Sequence, residues 1–487
     1  MQALVNAEAR LADLAGAMRR EIAMLAYPAT RWVKPRTLDD GGRVLDVLIV
    51  GGGQSGLAIA NGLIREGVDN ILVLDRAEEG MEGPWLRFAR MGVLRTPKFL
   101  VGTELGFPSL SIESYFSAVY GAEAWAGIDR VPRLAWRDYL QWYRHVLNLP
   151  VRNGMAVGCV RRHADGIIAV DCTGPKGSET LFARRVVLAT GYDGIGEWRI
   201  PAEFSKAVPA DRLYHSNGAI PFDRMVGARV GVIGHGASSF DNAVAALGAG
   251  AKRVDLCFRR AVLPKVNPHR WVEFTGFLKH FPEMSDATRW QVNLYFKKVD
   301  QPPARWGFDA AHAHPNFAMH ASSPVTHLAW DEGKAEITLE TPKQRFAFDY
   351  IIAATGSAID LSLRPELSEI RDSILPWKEV YTPAPGEEHP ALGNFPYLGP
   401  EYQYRARDPK DEGFLNAIHA FNFSGIMSMG PHSTSISGHK YSVPRLIRGL
   451  TKGLYLEQES HLMPDMMAYD EPDLVYDADV SSVSAAE

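Results

Sequence analysis

The sequence predicts an α/β fold made of two like nucleotide-binding units, one inserted into the other. Three observations predict it. A strand–glycine turn–helix–strand pattern occupies 44–75 (VLDVLIVGGGQSGLAIANGLIREGVDNILVLD). The same plan returns at 228–260 (ARVGVIGHGASSFDNAVAALGAGAKRVDLCFRR). Two hydrophobic runs, 181–191 and 346–356, each end in Ala-Thr-Gly. Together they suggest a first unit that is interrupted, then resumed.

Taken in order, the chain opens with Leu4, Leu11, Leu14, Met18, Ile22 and Leu25 at helical spacing, an amphipathic helix in an arm covering 1–43. Residues 44–50 are continuously apolar, as a strand buried on both faces is. Gly51, Gly53 and Gly56 follow in G-x-G-x-x-G spacing, with Gln54 and Ser55 inside the turn. The first glycine permits the tight turn, the second lets a pyrophosphate approach the backbone, and the third lets helix and strand pack closely. The phosphates then face a helix N-terminus with free N–H groups. The strand 71–74 ends at Asp75, beside Arg76. A carboxylate there accepts hydrogen bonds from ribose hydroxyls.

In the second unit the strand 230–233 leads into Gly234, Gly236, Ser238 and Ser239, then a helix over 240–248 and a strand over 254–258. Where the first unit has its acid, this one has Arg259 and Arg260. Arginine at that strand end accommodates a 2′-phosphate. The pattern therefore predicts two Rossmann-like dinucleotide-binding domains, with FAD in the first and NADPH in the second. The NADPH domain, 201–345 with an aromatic insertion, sits inside the FAD domain, 44–200 and 346–456, and an acidic polar tail covers 457–487.

Composition narrows the partners. A net charge of −5 on 487 residues offers no nucleic-acid or acidic-membrane surface. Cys159, Cys172 and Cys257 make no Cys-x-x-Cys pair, which argues against a zinc site and a redox disulfide. His312, His314 and His320 near Asp309 read as satisfied histidines, so no metal is expected. Nothing approaches the ~20 apolar residues of a membrane span, and charges interrupt the N-terminal apolar runs. A cytoplasmic protein is expected, with homo-oligomers open.

Further motifs carry a family resemblance. They are EGPWLRFARMGVLRTPK (82–98), RLAWRDYLQWY (133–143) and LYHSNG (213–218). With the two turns and the two Ala-Thr-Gly strands, the chain resembles the class B flavoprotein monooxygenases over 44–450. The resemblance implies hydride transfer from NADPH to FAD and reaction with O₂ to a C4a-(hydro)peroxide. That species oxygenates a small-molecule substrate, with N or S the first reading. Baeyer–Villiger or aromatic-carbon oxygenation, or an NAD(P)H:acceptor flavin reductase, are the alternatives. The Baeyer–Villiger fingerprint is broken at Pro209, Asp211 and Ala219, and 430–450 resembles the N-hydroxylases only loosely. The resemblance further implies that Gly83, Trp85, Arg95 and Lys98 line the flavin and that Thr355 and Gly356 sit where the chain meets FAD. His215 either hydrogen-bonds near the nicotinamide or is structural. His432 lies in a polar loop that either closes over the isoalloxazine or is a surface turn. The expected catalytic set is His215, Lys98 and His432.

Overall fold

The computed structural model describes residues 2–100 and 102–474. Helix α1 (Ala7–Met24) turns Met18 inward and is tied to the body: Arg10 donates to the Ala118 carbonyl at 3.1 Å, and Ser109 Oγ donates to Glu21 at 2.7 Å. Strand β1 (Val44–Val50) is buried along its whole length, as its unbroken apolar run requires. Helix α2 (Gln54–Arg65) leads to β2 (Ile71–Leu74). The sheet is extended by β3 (Val151–Arg152), β4 (Ala156–Arg162), β5 (Ile168–Gly174) and β6 (Gly177–Leu188) in the order β3-β2-β1-β6-β5-β4. Strands β3, β2, β1 and β6 run parallel, while β4 and β5 join β6 as an antiparallel meander.

The second sheet starts with β7 (Leu213–His215) and β8 (Arg229–Ile233), followed by α3 (Ala237–Gly248), β9 (Arg253–Cys257), α4 (Asp286–Val299) and β10 (Phe317–His320). A separate antiparallel sheet follows: β11 (His327–Asp331), β12 (Glu336–Glu340) and β13 (Arg345–Phe348). The next strand, β14 (Tyr350–Ala353), inserts between β7 and β8, giving the parallel order β10-β9-β8-β14-β7. This corrects the sequence reading, which returns the chain to the first unit at 346. An apolar run says that a strand is buried on both faces but not which sheet buries it. The crossing is marked by a two-stranded ribbon pairing Gly196–Trp198 with Ser357–Ile359.

The first sheet is completed late. Strand β15 (Ile418–His419) pairs with β6. Helix α5 (Ile436–Leu456) buries His439, Val443, Leu446 and Leu450, with Ile447 against Gly62 of α2. Its far end is held by Arg184, which reaches Asp46 at 3.1 Å and Glu457 at 2.7 Å. A last helix, Glu459–Met467, is exposed throughout. Residues 475–487 of the expected tail lie outside the described residues. Among the described residues, no helix is long and apolar enough to cross a membrane.

Candidate active site

The first turn closes around its glycines. Gly51 has φ +112°, in the region that favours glycine, and a Cβ there would collide with the Ala189 carbonyl. A Cβ on Gly56 would sit 1.9 Å from the Gly51 carbonyl oxygen. Gly53 is different: its nearest neighbour is the Gly83 backbone at 3.8 Å, leaving the side where a pyrophosphate approaches clear. Asp75 braces the turn, accepting from the Gly52 N–H at 2.7 Å and the Ala77 N–H at 2.8 Å. Each carboxylate oxygen keeps a further lone pair for a ribose hydroxyl. Arg76 is ion-paired with Asp193.

A second helix end meets this turn. Ser55 Oγ and His439 Nε2 are 3.0 Å apart, and Thr103 Oγ1 lies 3.3 Å from His439 Nδ1. Gln54 Nε2 donates to the Thr434 carbonyl at 3.4 Å. The loop 431–435, which runs into α5, therefore lies against the start of α2.

The second turn repeats the construction. Gly234 has φ +139°, and its Cβ would collide with the Ala354 carbonyl, as that of Gly51 would with Ala189. This corrects the placing of Thr355 and Gly356 on the FAD side: they stand beside the second turn, and Thr190 and Gly191 stand beside the first. The reason is pairing, since β6 neighbours β1 and β14 neighbours β8. Gly236 is open, with nothing within 4 Å of a built Cβ. Arg259 is exposed, while Arg260 donates to the Lys298 carbonyl at 3.2 Å and lies 3.9 Å from Asp300. Asp300, held at φ +61°, also meets His235 Nε2 at 3.0 Å. Burial disfavours its charge, but the His235 imidazole beside it and the nearby Arg260 hold its carboxyl below the usual range. A carboxylate thus stands beside the arginine that the sequence pairs with a 2′-phosphate. Asp300→Asn is expected to lower the KM for NADPH several-fold while leaving that for NADH unchanged, measured by steady-state NAD(P)H oxidation.

Two expected catalytic residues are corrected. Lys98 Nζ donates to the Trp125 carbonyl at 2.6 Å and lies over the Trp125 ring, so its ammonium closes a short helix instead of facing the turns. His215 has both ring nitrogens engaged: Nε2 donates to the Gly356 carbonyl at 2.9 Å, and Nδ1 accepts from the Asn217 N–H at 3.1 Å. Its ring stacks on Trp198, and burial lowers its pKa. It is a positioning residue that ties β7 to the end of β14.

Between the turns lies a polar junction that the sequence did not disclose. Arg95 donates to Asp241 at 3.0 Å, joining the loop after Trp85 to α3. The Arg95 carbonyl is held by Arg130 and, at 2.8 Å, by Arg270. Gly92 packs against the Trp306 ring. His269 stacks on Phe296 with centroids 4.5 Å apart and meets His432 edge-on at 5.3 Å. Burial, then the charge of His269, lowers the His432 pKa to about 4, so its imidazole is neutral at pH 7. The signal for Asp241 and Asn242 was an acid and an amide opening the otherwise apolar stretch FDNAVAAL; His269, Arg270 and Trp306 carry no local signal.

Whether these residues fit two dinucleotides is tested by their unpaired atoms. Gln54 Oε1, Trp85 Nε1, Ser239 Oγ, Asp241 Oδ1, Asn242 Oδ1, His432 Nε2 and Ser433 Oγ are buried without a protein hydrogen-bond partner. Each such group costs about 1–3 kcal/mol. These seven, of the eighteen such atoms among the described residues, lie on the two turns, the elements that open from them, or the loops between, where FAD, a nicotinamide dinucleotide or a substrate would supply partners.

Three histidines withdrawn wholly or partly from solvent give the fold an acid limit. His419, His432 and His439 are each lowered to about 4, chiefly by burial. Depressed histidine pKa values contribute stability that is full above the ordinary value near 6.5 and is lost as pH falls toward 4. Asp46, Glu104 and Asp241, raised by burial, act with the opposite sign. The melting temperature is expected to fall from pH 7 to pH 4.5, and less steeply in His439→Asn, as followed by calorimetry.

Two glycine turns that open on one polar junction define a two-nucleotide oxidoreductase. Residues 48–299 match the family profile described as pyridine nucleotide-disulphide oxidoreductase. An FAD-dependent urate hydroxylase of Xanthomonas campestris pv. campestris is 38% identical over 465 residues, 96% of this chain and 97% of that protein. Among solved structures, ornithine hydroxylase of Pseudomonas aeruginosa matches with a TM-score of 0.64 at 17% identity, covering 84% of this chain and 100% of that one. L-lysine 6-monooxygenase of Pseudomonas syringae matches at 0.62 and 18%, covering 84% and 99%. The chain belongs to the class B flavoprotein monooxygenases, a class of FAD- and NADPH-dependent oxidoreductases.

Proposed function

We propose that the protein hydroxylates a urate-like purine, with FAD on the first turn and NADPH on the second. The observation that carries this reading is the 38% identity with a urate hydroxylase along nearly the whole of both chains. Bound together, the two cofactors supply hydride transfer and O₂ activation, placing one oxygen atom on the substrate and the other in water. The chain's own part is binding and orientation.

Gly53 and Gly236 admit the two pyrophosphates, and Arg259 and Arg260 favour the phosphorylated ribose. Arg95, braced by Asp241 and through its carbonyl by Arg270, orients the reacting partners at the junction. The neutral His432 offers Nε2 to a ring N–H or oxo group of the substrate, and His269 supports its ring. The loop 431–435 keeps water from the junction. A purine of this kind presents several electron-rich ring atoms, which brings the heterocyclic reading ahead of an aliphatic amine or a sulfide. Its NADPH dependence and three free cysteines suit the cytoplasm.

The test is incubation of the FAD-loaded enzyme with NADPH, urate and ¹⁸O₂. One label per NADPH consumed, with loss of the urate ultraviolet band, is expected. NADPH oxidation that yields only hydrogen peroxide, with urate intact, would overturn the substrate.

A further inference from the structure

Beside the junction, on the outer side of the segment 216–218, lies a cavity of about 690 Å³. Its walls come from both halves of the molecule. The loop 86–90 and Arg133 stand on one side; Tyr214, the segment 219–224 and Ala245 stand on the other. Four arginines line it: Arg87, Arg90, Arg133 and Arg224. No aspartate or glutamate does. Among the described residues, none of the four has a carboxylate within 4.0 Å.

The inner two are fixed in place by carbonyls alone. Arg90 donates to the Ser216 carbonyl and, at 2.7 Å, to that of Gly218, and it lies over the Phe222 ring at 5.1 Å. Arg133 donates to the Trp85 carbonyl and, at 3.1 Å, to that of Met91. Each guanidinium has five N–H groups, so Arg90 Nε and Arg133 Nη2 remain available. Burial, then the charge of Arg133, lowers the Arg90 pKa to about 10. Neighbouring cations that are partly desolvated, with Asp241 acting on Arg90 only from beyond 4.0 Å, carry an energetic cost that a bound anion offsets. The outer two, Arg87 and Arg224, are exposed, and neither side chain makes a hydrogen bond among the described residues. They form a cationic mouth that raises local anion concentration.

The rest of the wall selects shape. Tyr214 and Phe222 contribute aromatic rings, with Leu86 and Ile220 as apolar neighbours. Guanidinium planes and aromatic faces together suit a flat ring that carries a negative oxygen. The volume lies within the range of small-molecule sites.

We propose that this cavity is a binding site for a planar organic monoanion, separate from the two dinucleotide turns and from the oxygenation junction. Its occupant bridges the loop after Trp85 and the segment after His215, so it joins the two halves of the molecule. The site does not depend on the urate reading.

The test uses the FAD-loaded full chain and isothermal titration with benzoate at low ionic strength. One site per chain is expected, with affinity falling as salt rises. Charge reversal of the outer pair (Arg87→Glu with Arg224→Glu) is expected to weaken benzoate at least tenfold while melting and flavin content stay unchanged. Phe222→Ala is expected to weaken benzoate but not inorganic phosphate. Saturating NADPH is expected to leave the benzoate isotherm in place. No binding, binding indifferent to the charge reversal, competitive displacement by NADPH, or phosphate binding as tightly as benzoate would each overturn the proposal.

Discussion

Gly56→Ala is expected to yield a colourless protein. The added methyl would stand 1.9 Å from the Gly51 carbonyl oxygen, backbone against backbone, with no flexible side chain to give way. Gly51 is itself held at φ +112° against the Ala189 carbonyl. The turn must therefore open, carrying the first N–H groups of α2 away from the pyrophosphate. FAD affinity is expected to fall at least a hundredfold, read from the flavin spectrum of the purified protein and by titration. The melting temperature falls with it, because a ligand that binds only the native state stabilises it. NADPH binding at the second turn persists. Gly52→Ala is the control: its Cβ meets only the side chains of Val151 and Asp75, at 3.2 and 3.3 Å, and a partial loss is expected. A fully yellow Gly56→Ala protein would remove the first turn from the flavin site.

Arg95→Met is expected to cost both stability and turnover. Asp241 is 3% exposed, and its carboxyl is already raised by burial against the opposing pull of Arg95. Removing the guanidinium leaves a buried carboxylate without its partner, a change of about 3–5 kcal/mol. The double variant Arg95→Met with Asp241→Asn removes that charge and is expected to recover most of the melting temperature. It does not restore the guanidinium at the junction, so kcat/KM stays down by a factor of about a hundred, roughly 2.7 kcal/mol of transition-state stabilisation. Recovery of turnover together with stability would make the pair purely structural. Denaturant unfolding and steady-state kinetics on the same preparations separate the outcomes.

The sequence disclosed what is local. In both strand–turn–helix–strand units the strands lie within a residue of where their apolar runs put them, while the second helix begins at Ala237, three residues before its expected start. Parallel strands buried on both faces read as unbroken hydrophobic runs, and the turn spacing is set by backbone sterics. What spans the chain was hidden. Arg95 and Asp241 are 146 positions apart, and Ser55 and His439 are 384 apart. Neither pair leaves a periodic trace. Lys98 and His215 misled for a related reason: residue type and motif context suggested chemistry, but the hydrogen-bond partners are distant backbone groups. The Ala-Thr-Gly repeat is visible in the sequence, but its two copies end strands of different sheets, and sheet membership is a matter of tertiary pairing.

The late joining of β15 and α5 to the first sheet has a consequence for biogenesis. Translation delivers the glycine turn first, and the imidazole of His439 that grips it emerges 384 residues after Ser55. A nascent chain that has passed residue 250 carries both turns, and its flavin cradle still lacks one wall. Loading of the cofactor is therefore expected to wait until residue 439 has been made, and truncation before residue 430 is expected to leave an apoprotein even though every phosphate-binding glycine is present.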